Sequence, residues 1–226
     1  MSGVLAGRAL HKTYGRTAAL DGATISIEAG EVVAVTGPSG SGKSTLLLTL
    51  AGVVRPEAGE VSYNGQRLDR LSDDARSLIR RRDFGLVLQF GHLVSELTAV
   101  QNVALPLLLD GHRRAAAEAA AARWLERLDV DGVSAALPGE MSGGELQRVA
   151  IARALVHGPR VIFADEPTGA LDSVAGERVL ATLIGAARAG GATLVIVTHD
   201  NVVAASADRE VVLRDGRVTE LPVVAS

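Results

Sequence analysis

The chain has 226 residues, a formal net charge of −3 at pH 7 and no cysteine. The lack of cysteine excludes disulfides and thiolate chemistry, and the slightly negative charge argues against a nucleic-acid partner held by a basic surface. Hydrophobic residues make up 47% of the chain, yet no apolar run approaches the roughly 18–20 residues of a membrane span, and the N-terminus lacks the apolar stretch of a signal peptide. We therefore expect a soluble chain that is not exported by that route.

Apolar strand patterns alternate with helical patterns along the chain. Strands are predicted at residues 31–36, 61–63, 84–88, 161–164 and 193–197, and helices at 45–50, 113–128 and 143–157. The runs at 210–214 and 217–221 flank Asp215-Gly216, which is a hairpin signal. Short apolar strands that alternate with helices are typical of a mainly parallel sheet covered on both faces. The sequence therefore predicts an α/β fold.

A glycine-rich segment, residues 37–44, joins the strand at 31–36 to the following helix. It fits G-x-x-x-x-G-K-[ST], the P-loop pattern, in which curled backbone N–H groups and a helix N-terminus hold phosphate. Lys12 and Lys43 are the only lysines among 23 basic residues, so Lys43 suggests a site that needs a compact ammonium. A Gly/Ser-rich turn without a ligand is the alternative, which the lysine and the flanking elements disfavour. The candidate nucleotide-binding residues are Gly37, Pro38, Ser39, Gly40, Ser41, Gly42, Lys43, Ser44 and Thr45.

A second strand, at 161–164, runs directly into two carboxylates, Asp165 and Glu166. We expect Asp165 at the C-terminal edge of the sheet beside the P-loop, where it holds Mg²⁺ through water together with the Ser44 hydroxyl. Glu166, one residue later, is the candidate general base that polarises the attacking water. A charged turn is the alternative interpretation of this segment. Guanine recognition by an N-K-x-D motif is excluded, because neither lysine lies in one.

The segment Met141-Ser-Gly-Gly-Glu-Leu-Gln-Arg148 resembles the LSGGQ signature of ABC ATPases. Ser142 and two glycines at a helix start form a second phosphate-binding end. The resemblance implies one P-loop domain over residues 1–226, with an antiparallel β region near the N-terminus and a helical subdomain inserted at about 90–157. It also implies a homodimer that holds two ATP molecules, in which Ser142, Gly143, Gly144 and Glu145 of one subunit close on the ATP of the other.

Further positions match the same family in order. The resemblance assigns Tyr14 to stacking on adenine, Gln89 to Mg²⁺ and the attacking water, and His199 to the γ-phosphate. Asp172, in Gly169-Ala-Leu-Asp172, matches the loop that crosses the dimer interface, called the D-loop. The resemblance thus implies Lys43, Gln89, Glu166 and His199 as catalytic residues, and Ser44, Gln89 and Asp165 as Mg²⁺ ligands.

Residues 89–109 resemble the macrolide-exporter and lipoprotein-release branch of the family. This branch implies an integral membrane permease as partner, contacted through these residues, and a peripheral position on the cytoplasmic face of the cell membrane. The sequence departs from the common pattern at Met141, Glu145, Leu146 and Ala170, and the last two put the strength of the contact across the dimer in doubt.

Two other functions are compatible with the same cassette. In one, the ATPase drives a mechanotransmission or resistance-sensing complex without moving a solute. In the other, the chain is a soluble ABC protein of translation or DNA repair. Such proteins usually carry two cassettes or long coiled-coil insertions, and this chain has one cassette and neither insertion, which disfavours the second alternative.

Overall fold

The computed structural model of the chain describes residues 3–89 and 91–220. They form two compact units, the first containing residues up to 80 and from 193 onward, the second containing residues 81–192. The strands are β1 (Leu5–Tyr14), β2 (Thr17–Ile27), β3 (Val32–Thr36), β4 (Ala58–Tyr63), β5 (Gln66–Arg67), β6 (Phe84–Val87), β7 (Val161–Asp165), β8 (Thr193–Val197), β9 (Arg209–Arg214) and β10 (Arg217–Glu220). The α-helices are α1 (Lys43–Leu50), α2 (Asp73–Asp83), α3 (Ala99–Leu109), α4 (Arg114–Arg127), α5 (Gly143–Leu155), α6 (Ser173–Gly190) and α7 (Asn201–Ala205).

The first unit contains an antiparallel sheet with the strand order β2-β1-β4-β5. A tight turn joins β1 to β2, with Tyr14 opposite Thr17. One face of these strands is apolar and buried, and its largest side chains are Leu5, Leu10, Leu20, Ile25 and Ile27. The register of β1 shifts between Gly7 and Leu10, where the strand bulges. This sheet is the antiparallel β region that the sequence predicted near the N-terminus.

The first unit also contains parallel strands, in which β3 lies between β8 and β9. Every residue of β8 is buried, as are the first four of β3. A strand buried on both faces has no polar side, which explains the continuous runs of Val and Ile in the sequence. Val35 lies opposite Val197, so β3 and β8 end at the same edge. Segments that follow these strands, the P-loop and His199, therefore start from one edge of the sheet.

In the second unit β6 and β7 pair in parallel, with Val87 opposite Ala164. All five residues of β7 are buried, and the rings of Phe84 and Phe163 meet edge to face with centroids 5.2 Å apart. Helix α5 packs against β6 at Gly85, where an added Cβ would lie 2.3 Å from the Ala154 carbonyl oxygen. The described elements between β6 and β7 are all helical.

The predicted strands and helices agree with the structure to within a few residues, and the α/β fold is confirmed. The structure adds the helices α2, α3, α6 and α7, which the sequence pattern did not single out. Helix α6 contains Gly176, Gly185 and Gly190, and glycine is a poor helix former. Phe90 and Leu221, which belong to predicted segments, lie outside the described residues. The single-domain boundaries and the insert at about 90–157 stay predictions.

No helix among the described residues has both the length and the apolar character needed to cross a membrane.

We predict that Gly85→Ala destabilises the fold, because the new methyl group meets backbone, which cannot rotate away. Overpacking of this kind costs about 1–3 kcal/mol. The matched control is Gly132→Ala, at an exposed position where an added Cβ meets nothing within 4 Å, and it should leave stability unchanged or raise it slightly. Thermal unfolding followed by circular dichroism measures both. Equal melting temperatures for the two variants would contradict the close approach of α5 to β6.

Candidate functional site

The P-loop, residues 37–42, curves between β3 and α1. Gly37 and Gly42 have φ values of +138° and +100°, which L residues with a side chain rarely adopt. A Cβ at Gly37 would lie 2.1 Å from the Leu213 carbonyl oxygen, and one at Gly42 would lie 2.0 Å from the Ala19 carbonyl oxygen. Glycine is therefore required at both positions, for its backbone conformation and for its lack of a side chain.

Lys43 lies within the curve of this loop with 9% of its surface exposed. Its Nζ donates hydrogen bonds to the carbonyl oxygens of Gly37 at 2.8 Å and Pro38 at 2.9 Å. The buried Ser41 Oγ has no hydrogen-bond partner in the described part of the chain. Gly42 is the N-cap of helix α1 and has no side chain to cap it, so the first N–H groups of the helix have no side-chain acceptor. A buried ammonium, an unpaired hydroxyl and uncapped amides together fit a phosphate group.

The remaining P-loop candidates lie at the surface of the first unit. Pro38, Ser39, Gly40 and Ser44 are exposed and Thr45 is partly exposed.

Two other predicted residues belong to the first unit. Tyr14 ends β1 with 51% of its surface exposed, and the Lys12 Nζ lies 5.4 Å from its ring centroid. His199 is exposed just beyond β8. The preceding residue, Thr198, is fully buried; its N–H donates to the Val35 carbonyl at 3.1 Å, and its hydroxyl accepts a bond from Asp200 N–H at 3.0 Å. The backbone on both sides of His199 is thus fixed at the edge where β3 and β8 end.

The second unit brings Gln89, Asp165 and Glu166 to one edge, because β6 and β7 end together. Asp165 is the last residue of β7 and is 6% exposed, and Gln89 lies in an exposed turn just after β6. Glu166 is partly buried and has a φ of +47°, a left-handed conformation that costs a non-glycine residue on the order of 1–3 kcal/mol. The Gly169 N–H donates to the Glu166 carbonyl at 3.1 Å. This hydrogen bond closes a turn in which the chain leaves β7.

The signature segment forms the start of α5, with Ser142 as the N-cap. The Ser142 Oγ accepts a bond from Glu145 N–H at 3.3 Å, and one Glu145 carboxylate oxygen accepts bonds from both the N–H and the hydroxyl of Ser142 at 2.7 Å. These hydrogen bonds from Ser142, with the nearby Arg148 guanidinium, lower the pKa of the Glu145 carboxyl below its usual value. The sequence assigned Ser142 and Glu145 to phosphate binding, and the structure shows them bonded to each other as a capping box.

The D-loop lies beside the signature within the second unit. A Cβ on Gly144 would lie 3.1 Å from the Leu171 side chain, so the second signature glycine leaves room for this leucine. Asp172 is exposed and caps α6 by accepting a hydrogen bond from Ala175 N–H at 2.9 Å. Gly143 is exposed at the start of α5. The signature and the D-loop thus lie next to each other at Gly144 and Leu171.

Sequence reasoning missed the role of Arg153, near the end of α5. Its guanidinium donates hydrogen bonds to the carbonyl oxygens of Gly91 at 2.9 Å and His92 at 3.0 Å. The signal in the sequence was a single arginine inside the apolar run of residues 149–155, a position where a charge requires a specific partner.

The structure therefore groups the predicted residues in two sets. The first unit contains Tyr14, the P-loop with Lys43 and Ser44, and His199; the second contains Gln89, Ser142–Glu145, Asp165, Glu166 and Asp172. Tyr14 ends an antiparallel strand, whereas the other residues lie at or just after the end of a parallel strand or at a helix N-terminus. The carboxylate of Asp165 and the hydroxyl of Ser44 are oxygen groups of the kind that Mg²⁺ prefers.

Comparison with known proteins places these features in a family. Residues 20–169 match the family model described as ABC transporter. The chain is 42% identical over 213 residues to the lipoprotein-releasing system ATP-binding protein LolD of Hyphomonas neptunium, covering 94% of this chain and 93% of the relative. It is 46% identical over 199 residues to the macrolide export ATP-binding/permease protein MacB of Photorhabdus laumondii, covering 88% of this chain and 31% of that protein.

Solved structures show the same fold. The dimeric ATP-binding cassette MJ0796, in a post-hydrolysis state bound to ADP and Pi, superposes with a TM-score of 0.92 at 36% identity, covering 96% of this chain and 98% of that one. A second dimeric structure of MJ0796 gives a TM-score of 0.92 at 38% identity, covering 96% and 97% of the two chains.

We predict that Lys43→Arg weakens nucleotide binding by about 10- to 100-fold, or roughly 1.4–2.7 kcal/mol. The planar guanidinium does not fit where a compact ammonium contacts two carbonyls at 2.8 and 2.9 Å. Titration with a fluorescent ATP analogue measures the effect. The matched control is Lys12→Arg, at the other lysine, whose ion pair with Glu57 is at the surface and tolerates the exchange. Wild-type affinity in Lys43→Arg would refute the phosphate-binding role of Lys43.

Proposed function

We propose that this chain, which belongs to the ABC transporter family, is the ATP-binding and ATP-hydrolysing subunit of a membrane transporter. The observation that carries the proposal is the geometry of the P-loop, where the buried Lys43 and an uncapped α1 N-terminus form an anion cradle. The family match at residues 20–169 includes this loop and the signature. The post-hydrolysis state with ADP and Pi of a similar cassette supports hydrolysis as the reaction.

In this proposal the P-loop residues hold the phosphates of ATP and Tyr14 stacks on the adenine. Exposure of the Tyr14 ring supports its role, because a stacking face must be accessible. Lys43 contacts the β- and γ-phosphates as a point charge. Ser44, Asp165 and Gln89 hold Mg²⁺, which when bound neutralises the charge that develops on the phosphates.

Hydrolysis then needs a group that takes a proton from water. We assign this role to Glu166, because its carboxylate follows the buried strand β7 on a backbone held in a costly left-handed conformation. Strained positions of this kind cluster at functional sites. Gln89 orients the same water, and its position at the strand edge it shares with Asp165 supports this role. His199, held by the fixed backbone of Thr198, contacts the γ-phosphate.

We further propose that the signature acts in trans in a homodimer. A single chain offers two phosphate-binding helix starts, α1 and α5, and one ATP occupies the first. Ser142, Gly143, Gly144 and Glu145 then close on the ATP of the second subunit, with Asp172 at the interface. Both structures of the similar cassette MJ0796 are dimeric.

The membrane partner is proposed from the relatives. MacB is named as an ATP-binding and permease protein, and LolD is named as the ATP-binding protein of a lipoprotein-releasing system; both names support a membrane permease as the partner. We place the chain on the cytoplasmic face of the membrane, contacting the permease through residues 89–109. The relatives are named for lipoprotein release and macrolide export, which favours transport over a mechanotransmission complex.

We predict that Glu166→Gln slows steady-state phosphate release by about 10²- to 10⁴-fold, equivalent to roughly 3–5 kcal/mol. Glutamine keeps the size of the side chain but cannot accept the proton, and loss of its charge lessens repulsion of the γ-phosphate. The variant should therefore accumulate as an ATP-bound dimer in size-exclusion chromatography with Mg-ATP. Asp165→Asn serves as the comparison, because it should lose turnover together with Mg²⁺-dependent binding. Turnover of Glu166→Gln within a few-fold of wild type would show that Glu166 is not the base.

A mixing experiment tests the use of the signature in trans. We predict that Ser142→Arg binds ATP as a monomer but neither dimerises nor hydrolyses it, because the large cation blocks the start of α5. Lys43→Ala should be inactive for the opposite reason, a defective P-loop. A mixture of the two forms heterodimers in which one site combines an intact P-loop with an intact signature, so phosphate release should recover in part. If the mixture forms no heterodimer with Mg-ATP and no activity returns at any mixing ratio, the signature does not act in trans.

A further inference from the structure

The backbone at Gly91, two residues after Gln89, is held in place from one side. The Gly91 N–H donates to the Leu88 carbonyl at 3.0 Å, which closes a turn that contains Gln89. Gly91 has a φ of +74°, and a Cβ there would lie 3.1 Å from the Leu146 carbonyl oxygen and 3.5 Å from the Ala150 Cβ, both on α5. The turn therefore rests directly on the backbone of the signature helix.

Arg153 fastens this turn to the same helix. Its guanidinium donates to the carbonyls of Gly91 and His92 at 2.9 and 3.0 Å, and His92 also has a left-handed backbone, with a φ of +44°. Hydrogen bonds from a charged donor are stronger than those between neutral groups; partial exposure of Arg153 reduces their strength. The guanidinium is planar and rigid, and it binds two adjacent carbonyls. It therefore fixes both the orientation of the Gly91–His92 backbone and its distance from α5.

An arginine at position 153 carries a desolvation cost in free energy. Burial lowers the pKa of Arg153, with no offsetting contribution from a carboxylate, and among the described residues its hydrogen-bond acceptors are main-chain carbonyls. An apolar side chain would fill the space more cheaply than a partly buried cation. What arginine adds is a defined geometry for the turn.

Gln89 and the signature are thereby attached to one rigid element. Ser142 caps the start of α5, and Arg153 lies about 16 Å farther along the helix at 1.5 Å per residue. Any displacement of α5 that follows contact at the signature is carried to the turn through Arg153. A helix of this length moves as a unit, while a loop held only at its ends does not.

We propose that Arg153 is a positioning residue. It holds the turn that contains Gln89 against the signature helix α5, and so places the Gln89 side chain where it orients the attacking water. The proposal rests on the role of Gln89 in the proposed function. It makes the working position of Gln89 depend on α5, whose N-terminus contacts the ATP of the other subunit. Hydrolysis at one site of the dimer is thus coupled to occupancy of the other.

A double-mutant cycle between Arg153 and Gln89 tests the proposal. Arg153→Met should lower kcat about 10-fold, raise the Mg²⁺ concentration needed for half-maximal rate, and reduce the cooperativity of the rate in ATP, with the KM for ATP little changed. In a Gln89→Ala background the same substitution should add little further loss, because residues that act through one another are not additive. Arg153→Lys should recover part of the rate, since an ammonium still reaches one carbonyl, and it replaces Arg153→Met in the cycle if the methionine variant does not fold.

The matched control is Arg80→Met, in the first unit. Arg80 is also a partly buried arginine whose pKa is lowered by burial, and it donates to the Gly52 carbonyl at 2.8 Å. Its loss should lower the melting temperature to a similar extent without changing kcat, Mg²⁺ dependence or cooperativity at temperatures well below unfolding.

The outcomes separate the inference from the function on which it rests. If Gln89→Ala keeps wild-type turnover, the proposed role of Gln89 is wrong and the inference falls with it. If Gln89→Ala is slow, but the Arg153 substitution slows it further by the same factor as in the wild-type background, Gln89 keeps its role and the inference alone is overturned. An Arg153 variant that behaves like Arg80→Met, with lower stability and unchanged kinetics, overturns it as well.

Discussion

The shape of the P-loop is imposed by backbone contacts from parts of the chain that are distant in sequence. The Leu213 and Ala19 carbonyls leave no room for a side chain at Gly37 and Gly42. A chain of hydrogen bonds supports the same contact: Gly216 N–H donates to the Ser41 carbonyl at 3.1 Å, and Asp21 N–H donates to the Gly216 carbonyl at 2.9 Å. The loop is therefore clamped between strand β2 and the β9–β10 hairpin. Since the curved loop in turn places Lys43, the position of its ammonium depends on both sheets of the first unit.

The second unit achieves the same precision with side chains. Helix α5 packs against β6 through Gly85, begins with the Ser142–Glu145 capping box and ends near the Arg153 contact to the turn after Gln89. One helix thus fixes a strand, a signature and a turn. Because these contacts lie along a single rigid element, the relative positions of the functional residues in this unit follow from the placement of α5.

The motifs and the buried strands could be predicted from sequence because each is encoded locally, in runs such as 31–44 and 161–166. The N-terminal strands were harder, since bulges between Gly7 and Leu10 break the alternation of apolar and polar residues in β1. The contacts of Arg153 and the left-handed backbone of Glu166 depend on tertiary packing, which no local pattern reports. The capping box could have been predicted, because Ser142 and Glu145 have the spacing of its sequence signature. The same residues also resemble a ligand-binding motif, and on that resemblance they were assigned to phosphate binding alone.

The two helix starts differ in a way that fits their proposed uses. Helix α1 begins with no side-chain cap and with Lys43 as its first residue, so its amides and an adjacent cation are available to phosphate within one chain. Helix α5 begins with a cap, in which the Ser142 hydroxyl donates to the negative Glu145 carboxylate, and only the Gly143 and Gly144 amides are left without intrahelical or capping partners. A phosphate that engages Ser142 must displace a cap that contributes about 1 kcal/mol and must approach a carboxylate. The P-loop is therefore the stronger anion site of the pair, which fits the proposal that the signature meets phosphate only on a nucleotide held by the P-loop of the second subunit.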